Sequence, residues 1–581
     1  MVPVAFAGCA GWFHEDPGAT PKDVAVLICP ATLMEAQVSY ASVRVLADRL
    51  ASAGYRTLRF DYPGTADSRD LADGEELWSA WRDSVGRAAD ELASLAGTSR
   101  LVLCGVRLGA SLAILAAAER DDVEGLVLFD PVFEGRPHVR QMLLDADLQG
   151  GAAASRDQGF VVRELAISPE TVREIESVDL RRVVLRSGLK VALYARPGSR
   201  GVEPGVEAWK ACGVAVDRFA WEPVVTLLGL PELVAVPFAD FSPVAAWLSQ
   251  AIPAGAGRPA ADASRLSGPR DFGCCVESPV QFGVDRRLYG VLCRPSGTTL
   301  VDRVVIIGNG GRDPRFGGAR SGVAIARALA QAGIASFRMD FSGIGDSPGV
   351  PGREDRMSDV FWDRQDDLQA AVDELTDRGF RRIAVQGLCS GAYHAFHAAL
   401  ADPRIDALVL INLTLFSMPS MDTLTYLDQR GVTPLTFLGK LTNPGSWRTL
   451  LSGRSRLWRS GKSFLVSLWL CLLDCRKRLR QCLGLDAVPS FAAQAMTQLD
   501  RQRVSILFLF SPGDADINEF RKEFGHDGER LAAFPRARFA VVPGMDHDVT
   551  VRRGRVAAAA LIAAFLADTG APRAARATSA A

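Results

Sequence analysis

The sequence lacks the features that mark several large protein classes. No run reaches the roughly 18 apolar residues that a membrane-spanning helix needs. The first six residues have neither the basic segment nor the long apolar core of a secretory signal. Lys and Arg (66) balance Asp and Glu (67) to a net charge of −1, so no overall field attracts nucleic acid. We therefore expect a cytoplasmic protein without a transmembrane segment or a nucleic-acid partner.

CxxC cysteine pairs at zinc-binding spacing are also missing. The eleven cysteines are scattered and form no CxxC pair. Cys29, Cys104 and Cys293 fall inside apolar runs typical of buried strands or helices. Free thiols in a reducing compartment are the simplest interpretation, and we expect neither a metal nor another cofactor.

What the sequence does contain is an internal duplication. With 581 residues the chain exceeds what one hydrophobic core usually organises, so at least two domains are expected. Three blocks recur in the same order. The first reads as helix, turn, buried strand and turn, the second is followed by an Ala-rich helix, and the third is an apolar strand. The pairs are 46–68 with 325–347, 101–109 with 383–391, and 125–130 with 407–412. Apolar strands alternating with amphipathic helices predict a mostly parallel sheet covered on both faces.

The repeats therefore predict two α/β domains in tandem, with these boundaries. The first domain covers 1–250, and an Ala-, Gly- and Pro-rich linker covers 251–272. The second domain covers 273–570 and carries a helical cap at about 418–500, and 571–581 form a disordered tail.

The strongest chemical signal is Gly387-Leu388-Cys389-Ser390-Gly391, between a buried strand and a helix. A Gly-x-nucleophile-x-Gly sequence in that context predicts a nucleophile elbow, because the glycines permit the tight turn that lifts the central side chain above the sheet. Two later segments supply the partners in the order this fold uses. Asp514 follows a late apolar strand, with Asp516 as reserve acid, and His547 follows the next strand as the base.

An oxyanion hole requires two backbone N–H groups. We expect them from Ser390, directly after the nucleophile, and from Gly311, in the glycine-rich loop after an early strand. Arg312, Arg315 and Arg320 near that loop are candidates for an anion site, although loop arginines are commonly just solvated.

Several other polar residues have simpler interpretations. His394 and His397 lie in the helix after the elbow, where packing or solvent exposure is expected. Asp340, Asp346 and Ser347 recur in both halves, so we expect them to fix a turn.

The first half looks catalytically degenerate. Aligning the repeats puts Arg107 in the place of Cys389, Ser199 in the place of the acid and Phe241 in the place of the base. A guanidinium cannot act as a nucleophile. Arg107 is a candidate for holding a carboxylate or phosphate, and pairing with a neighbouring acid is an equal alternative.

At these residues the halves resemble two bacterial families, the exosortase A system-associated hydrolases, which have the α/β-hydrolase fold and are encoded beside exopolysaccharide genes. The first half resembles type 2 through 27–30 and 105–110, and the second resembles type 1 through 317–320 and 387–391. The elbow is also similar to that of dienelactone hydrolases, which use cysteine. These resemblances imply ester or acyl-thioester chemistry.

We therefore expect an acyl hydrolase or acyltransferase of the thioesterase or esterase type, in exopolysaccharide or natural-product biosynthesis. The apolar segment 464–473 ends in the basic segment 476–480. It is a candidate contact for an acyl carrier protein, coenzyme A phosphates or a lipid surface, and ordinary cap packing is the alternative. A rival function is a non-catalytic binding or scaffold protein that kept the fold.

Overall fold

A computed structural model describes most of the chain. The described residues are 1–148, 155–162, 165–196, 198–199, 201–221, 241–257, 268–297, 301–349, 364–417 and 489–570. Most of the expected cap, the centre of the expected linker and the expected tail lie outside these ranges.

The first half forms an eight-stranded, mostly parallel sheet in the order β1-β2-β4-β3-β5-β6-β9-β10. Only β1 with β2 and β2 with β4 pair antiparallel within it. Its strands, together with the separate hairpin of β7 and β8, have the following bounds: β1 Val2–Phe6, β2 Cys9–His14, β3 Ala25–Cys29, β4 Arg56–Phe60, β5 Leu101–Val106, β6 Val123–Phe129, β7 Phe160–Val162, β8 Leu165–Ile167, β9 Lys190–Ala195 and β10 Ala215–Ala220.

The second half repeats this order with one more strand at its start, β11-β12-β13-β15-β14-β16-β17-β18-β19. Its strands are β11 Arg270–Asp271, β12 Cys275–Phe282, β13 Leu288–Pro295, β14 Arg303–Gly308, β15 Ala335–Asp340, β16 Arg382–Leu388, β17 Ile405–Ile411, β18 Ser505–Phe510 and β19 Ala537–Val541. The central strands are apolar without alternation because helices cover both faces of the sheet.

Thirteen α-helices occur in the described ranges. Their bounds are α1 Leu33–Ser52, α2 Leu77–Ala96, α3 Leu108–Ala118, α4 Gly135–Leu148, α5 Pro169–Ser177, α6 Val202–Ala211, α7 Ser242–Ala251, α8 Ser321–Gln331, α9 Gln365–Asp377, α10 Ser390–Ala401, α11 Phe491–Arg501, α12 Ile517–Phe524 and α13 Arg552–Gly570. None of these described helices has both the length and the apolar character to cross a membrane.

The two sheets confirm the predicted fold class of two mostly parallel α/β bodies. One boundary differs at the end of the expected linker, where Arg270 and Asp271 pair with β12 as an edge strand. Among the described residues, those of 1–414, 502–518 and 535–570 form one compact unit that contains both sheets. The described residues 415–417, 489–501 and 519–534 form a second unit.

The recurring aspartate and serine residues fix turns, as their repetition predicts. Ser347 Oγ donates to the Asp340 carbonyl oxygen at 2.7 Å, and the Tyr289 N–H donates to Ser347 Oγ at 2.9 Å. In the first half, Ser68 Oγ likewise donates to the Asp61 carbonyl oxygen at 2.6 Å.

These turns also join the halves through reciprocal ion pairs. Arg59 of the first half bonds to Asp346 of the second, and Arg338 of the second bonds to Asp67 of the first. Arg315 lies between them, fully buried, with guanidinium nitrogens 2.6 Å from Asp67, 2.5 Å from Asp340 and 2.8 Å from Asp346. This arrangement corrects the expectation that Arg315 is an anion site, because three carboxylates already occupy its donors.

Candidate active site

The elbow predicted around Cys389 is present in the backbone. Cys389 follows β16 and precedes α10 with φ 52° and ψ −115°, a conformation rare for a residue with a side chain. Its N–H donates to the Ile411 carbonyl oxygen at 2.9 Å. A Cβ at Gly387 would lie 2.1 Å from the Gly391 carbonyl oxygen, so the turn needs glycine there. The Cys389 thiol is partly exposed at the carboxyl edge of the sheet.

His547 and the two candidate acids lie at the same edge. His547 Nδ1 is 2.7 Å from Asp514 Oδ2 and 3.9 Å from Asp516 Oδ2. The Cys389 sulfur, an Asp516 carboxylate oxygen and a His547 ring nitrogen all lie within 4.8 Å of one another. The hydrogen bond to Asp514, followed by that to Cys389, raises the pKa of His547 to about 11. Asp514, rather than Asp516, is therefore the carboxylate at hydrogen-bonding distance from the imidazole.

Thr414 is a member of this site that the sequence reasoning missed. Its Oγ1 lies 3.3 Å from Cys389 Sγ and donates to Asp516 Oδ2 at 3.1 Å. Since the hydroxyl proton is committed to Asp516, Thr414 Oγ1 can accept a hydrogen bond from the thiol. The sequence feature that could have identified Thr414 is its position shortly after β17, where side chains reach the carboxyl edge of a parallel sheet.

Asn412 holds three loops of the site together. Its Nδ2 donates to Ser511 Oγ at 3.0 Å and to the His547 carbonyl oxygen at 2.8 Å. Its Oδ1 accepts the Ser511 N–H at 2.8 Å. Asn412 is fully buried, so these bonds fix the ends of β17 and β18 relative to the histidine loop.

The predicted oxyanion loop packs directly against the elbow. A Cβ on Gly310 would lie 2.5 Å from the Leu388 carbonyl oxygen and 3.1 Å from Cys389 Cβ. The Gly311 N–H donates to Ser390 Oγ at 2.8 Å, so this amide already has an acceptor. Ser390 is the first residue of α10, where backbone N–H groups lack partners within the helix.

The remaining predicted arginines have different surroundings. Arg320 bonds to the Asp70 carboxylate at 2.6 Å and to the carbonyl oxygens of Ala66 and Ser68, so it joins the halves and is not open to an anion. Arg312 is half-buried in the Gly311 loop, and its anion-binding role stays a prediction.

Two groups of side chains have the spacing of metal ligands among the described residues. Besides Cys389, Asp516 and His547, they are Cys275, Glu277 and Cys293. In the second group Glu277 already bonds to Arg327 and Arg338, each at 3.1 Å, and these positive charges oppose a cation. The first group offers the thiolate, carboxylate and imidazole donors that zinc accepts.

The corresponding elbow of the first half keeps its shape without its nucleophile. Arg107 has φ 55° and ψ −120°, within 5° of Cys389 in both angles. Its guanidinium lies 2.9 Å from Glu35 and 2.9 Å from Asp130. Ser199 Oγ donates to Asp130 at 3.1 Å. Arg107 thus pairs with neighbouring acids, the alternative to an open carboxylate or phosphate site.

Two other predicted positions are occupied by packing side chains. Phe241, which stands where the base would be, is buried with its ring 6.0 Å from that of Phe129. His394 is buried against the Phe341 ring at 5.8 Å, and the His397 ring lies 4.3 Å from that of Tyr393.

Comparisons with known proteins match the second half at the elbow. Residues 319–428 match the family model Hydrolase_4, described as serine aminopeptidase, S33. The matched range contains Cys389 but neither Asp514 nor His547. One curated protein, YcjY of Escherichia coli (strain K12), is 34% identical over 86 residues, which are 14% of this chain and 27% of that protein. The chain therefore spans about a quarter of the curated relative it matches.

Solved structures that are similar to this chain include the following three. An esterase of Pyrococcus furiosus is 15% identical, with a TM-score of 0.31 over 50% of this chain and 92% of its own. A dienelactone hydrolase of Anabaena variabilis is 16% identical, with a TM-score of 0.31 over 51% and 98%. A proline iminopeptidase of Mycobacterium smegmatis is 17% identical, with a TM-score of 0.30 over 52% and 98%. The family match and the sheet topology support a hydrolase-type α/β fold for the second half.

Proposed function

We propose that the second half is an acyl hydrolase or acyltransferase with Cys389 as nucleophile, His547 as base and Asp514 as the orienting acid. The observation that carries the proposal is the convergence of a partly exposed thiol on a strained elbow, an imidazole and a buried carboxylate at one sheet edge. The substrate is an ester or acyl thioester, and an acyl carrier protein or coenzyme A is the candidate carrier. The resemblance to exosortase A system-associated hydrolases suggests exopolysaccharide or natural-product biosynthesis as the setting.

The reaction would proceed in two steps. With its pKa raised to about 11, His547 would hold the proton of the Cys389–His547 pair at neutral pH, and the thiolate attacks the acyl carbonyl carbon, forming a C–S bond. As the tetrahedral intermediate collapses, the bond to the leaving group breaks, and the leaving group takes the proton from His547. In the second step His547 removes a proton from water, or from an acceptor hydroxyl or amine, as that group attacks the thioester carbon. The C–S bond then breaks, and the sulfur regains its proton from His547.

The oxyanion of each step would be held by the amides of Ser390 and Gly311. Because Gly311 donates to Ser390 Oγ in the free site, the substrate oxygen must replace that hydroxyl as the acceptor. This exchange keeps the Gly311 amide hydrogen-bonded both with and without substrate.

A covalent adduct provides the direct test. After incubation of the full chain with acyl thioesters of graded length, intact-mass analysis should find one acyl group, and peptide mapping should place it on Cys389. A matched experiment uses Cys212→Ala, which removes an exposed thiol of the first half and should keep the adduct. Absence of any adduct together with absence of turnover would favour the scaffold alternative.

The two acids are expected to differ in their effect on turnover. Asp514→Asn should lower kcat by about 10²-fold, because the imidazole loses the carboxylate that fixes its tautomer and raises its pKa. Asp516→Asn should cost about tenfold or less, since Asp516 lies 3.9 Å from the imidazole.

The pH dependence of the unfolding free energy tests the pairing of His547 with Asp514. The folded-state pKa of His547, about 11, exceeds its ordinary value of 6.5. Its contribution to stability is therefore fully present below pH 6.5 and is lost as the pH rises through 11. The difference in unfolding free energy between wild type and Asp514→Asn should shrink over that window. An equal or larger difference at high pH would contradict the pairing with Asp514.

Thr414 is expected to act as a positioning residue for the thiol. Thr414→Val should lower kcat/KM by about tenfold, because it removes the hydroxyl between Cys389 Sγ and the buried Asp516 carboxylate. Thr414→Ser keeps the hydroxyl and should restore most of the rate. Equal losses in both variants, or a change confined to thermal stability, would assign Thr414 to packing alone.

A further inference from the structure

A cavity of about 80 Å³ lies between residues of the two halves, and its described lining does not include Cys389. Its walls are mostly apolar and include Ala31, Ala36, Tyr62 and Leu165 from the first half and Phe316 and Ala319 from the second. A cavity needs about 10–15 Å³ to hold one water, so this one accommodates about five to eight atoms of that size.

Asp61 contributes the carboxyl group of this cavity. It is buried, and its Oδ2 accepts the Asp67 N–H at 3.3 Å. No cation bonds to the Asp61 carboxylate within the described ranges. The corresponding residue of the second half, Asp340, instead receives both the N–H of Arg315 at 2.6 Å and its Nη1 at 2.5 Å. Of these two equivalent carboxyl groups, that of Asp340 is paired with an arginine, whereas that of Asp61 faces a cavity.

The charges around the cavity favour a neutral ligand. Arg59 and Arg320 line it, but Arg59 is paired with Asp346 and Arg320 with Asp70. A cationic ligand would face two guanidinium groups, and an anionic ligand would face Asp61. A neutral molecule with one polar group meets neither repulsion.

We propose that this cavity binds a small neutral molecule with an apolar body of about four carbons and one hydroxyl group that hydrogen-bonds to Asp61. A hydroxyl suits this carboxyl group in particular. Burial, followed by repulsion from Asp67, raises the pKa of Asp61 to about 7. Near neutral pH both its forms are populated, and a hydroxyl can donate to the carboxylate or accept from the carboxylic acid.

The site would give the catalytically degenerate first half a binding role. The occupant would lie against Phe316 and Ala319, which follow the Gly311 loop in sequence. Gln37, another residue of the cavity wall, donates to Asp313 of that loop at 2.5 Å. This inference does not depend on the chemistry proposed for Cys389, because the cavity and that site share no residue.

Ligand-observed NMR titration of the full chain with 1-butanol tests the proposal. Ala36→Phe should weaken binding by about tenfold or more by filling the cavity, whereas Ser52→Phe, which adds the same ring at the exposed end of α1, should leave it unchanged. Asp61→Leu should weaken binding while keeping the cavity wall apolar.

Three results would overturn the proposal. They are no saturable binding by wild type, equal binding by Ala36→Phe, or binding of n-butylammonium or butyrate as strong as that of 1-butanol. Turnover of an ester substrate is measured in the same samples, so that loss of binding and loss of the proposed catalysis are told apart.

Discussion

Replacing Cys389 with alanine is expected to lower kcat/KM for p-nitrophenyl esters and acyl thioesters by about 10⁴-fold or more. Alanine removes only the sulfur, and it can occupy the same strained elbow, where Cys389 has φ 52°. The measurement is the initial rate of wild type and variant at matched concentration. Circular dichroism and the thermal transition should be nearly unchanged.

Two further variants separate nucleophilic catalysis from damage to the site. Cys389→Ser keeps a nucleophilic atom but lacks the readily ionised thiol, so we expect a rate between those of wild type and Cys389→Ala. Cys212→Ala should leave the rate unchanged, because Cys212 is exposed in the first half. Turnover by Cys389→Ala close to the wild-type rate would exclude a covalent route through this thiol.

The structure brings together most of the site that the sequence suggested, and local patterns explain why. An elbow is encoded by five consecutive residues, and the acid and base each follow an apolar strand. Parallel strands end at one sheet edge, so the order of nucleophile, acid and base along the chain implies their proximity. This reasoning led to Cys389, Asp514 and His547, whose catalytic roles stay proposals.

The sequence did not reveal Thr414 and Asn412 as site residues, because their contacts depend on which loops meet in the folded chain. Neither belongs to a motif, and a polar residue after a strand is ordinary in sequence. Thr414 is recognised as part of the site only from the distances of its Oγ1 to Cys389 Sγ, 3.3 Å, and to Asp516 Oδ2, 3.1 Å. Asn412 likewise acts through Ser511 and the His547 loop, about 100 residues or more further along the chain.

The contact between the two halves is the largest feature that the sequence did not predict. Repetition of the aspartates correctly predicted turns, but pairing across the repeat cannot be read from either copy alone. Arg59 and Arg338 occupy equivalent positions, and each bonds to the aspartate of the other half. Arg315 has three carboxylate partners, so its position near the oxyanion loop wrongly suggested an anion site.

Replacing Arg315 with methionine is therefore expected to destabilise the protein by about 3–5 kcal/mol. Arg315 is fully buried, and its loss leaves the carboxylates of Asp67, Asp340 and Asp346 together without their shared cation. Urea denaturation measures the change. As the matched control, Arg82→Met removes one exposed partner of Glu119 and should cost about 1 kcal/mol or less.

The loss of unfolding free energy in Arg315→Met should increase with pH. Burial would raise the pKa of Asp67, but Arg315 and Arg338 hold it below its usual value in the wild type. Burial already raises the pKa of Asp340 to about 6 despite Arg315. Without the guanidinium the pKa values of both Asp67 and Asp340 rise, so the variant is destabilised most at pH values where these groups would be ionised. The loss of stability should be larger at pH 8 than at pH 5, and an equal loss at both would mean that Arg315 contributes packing rather than charge.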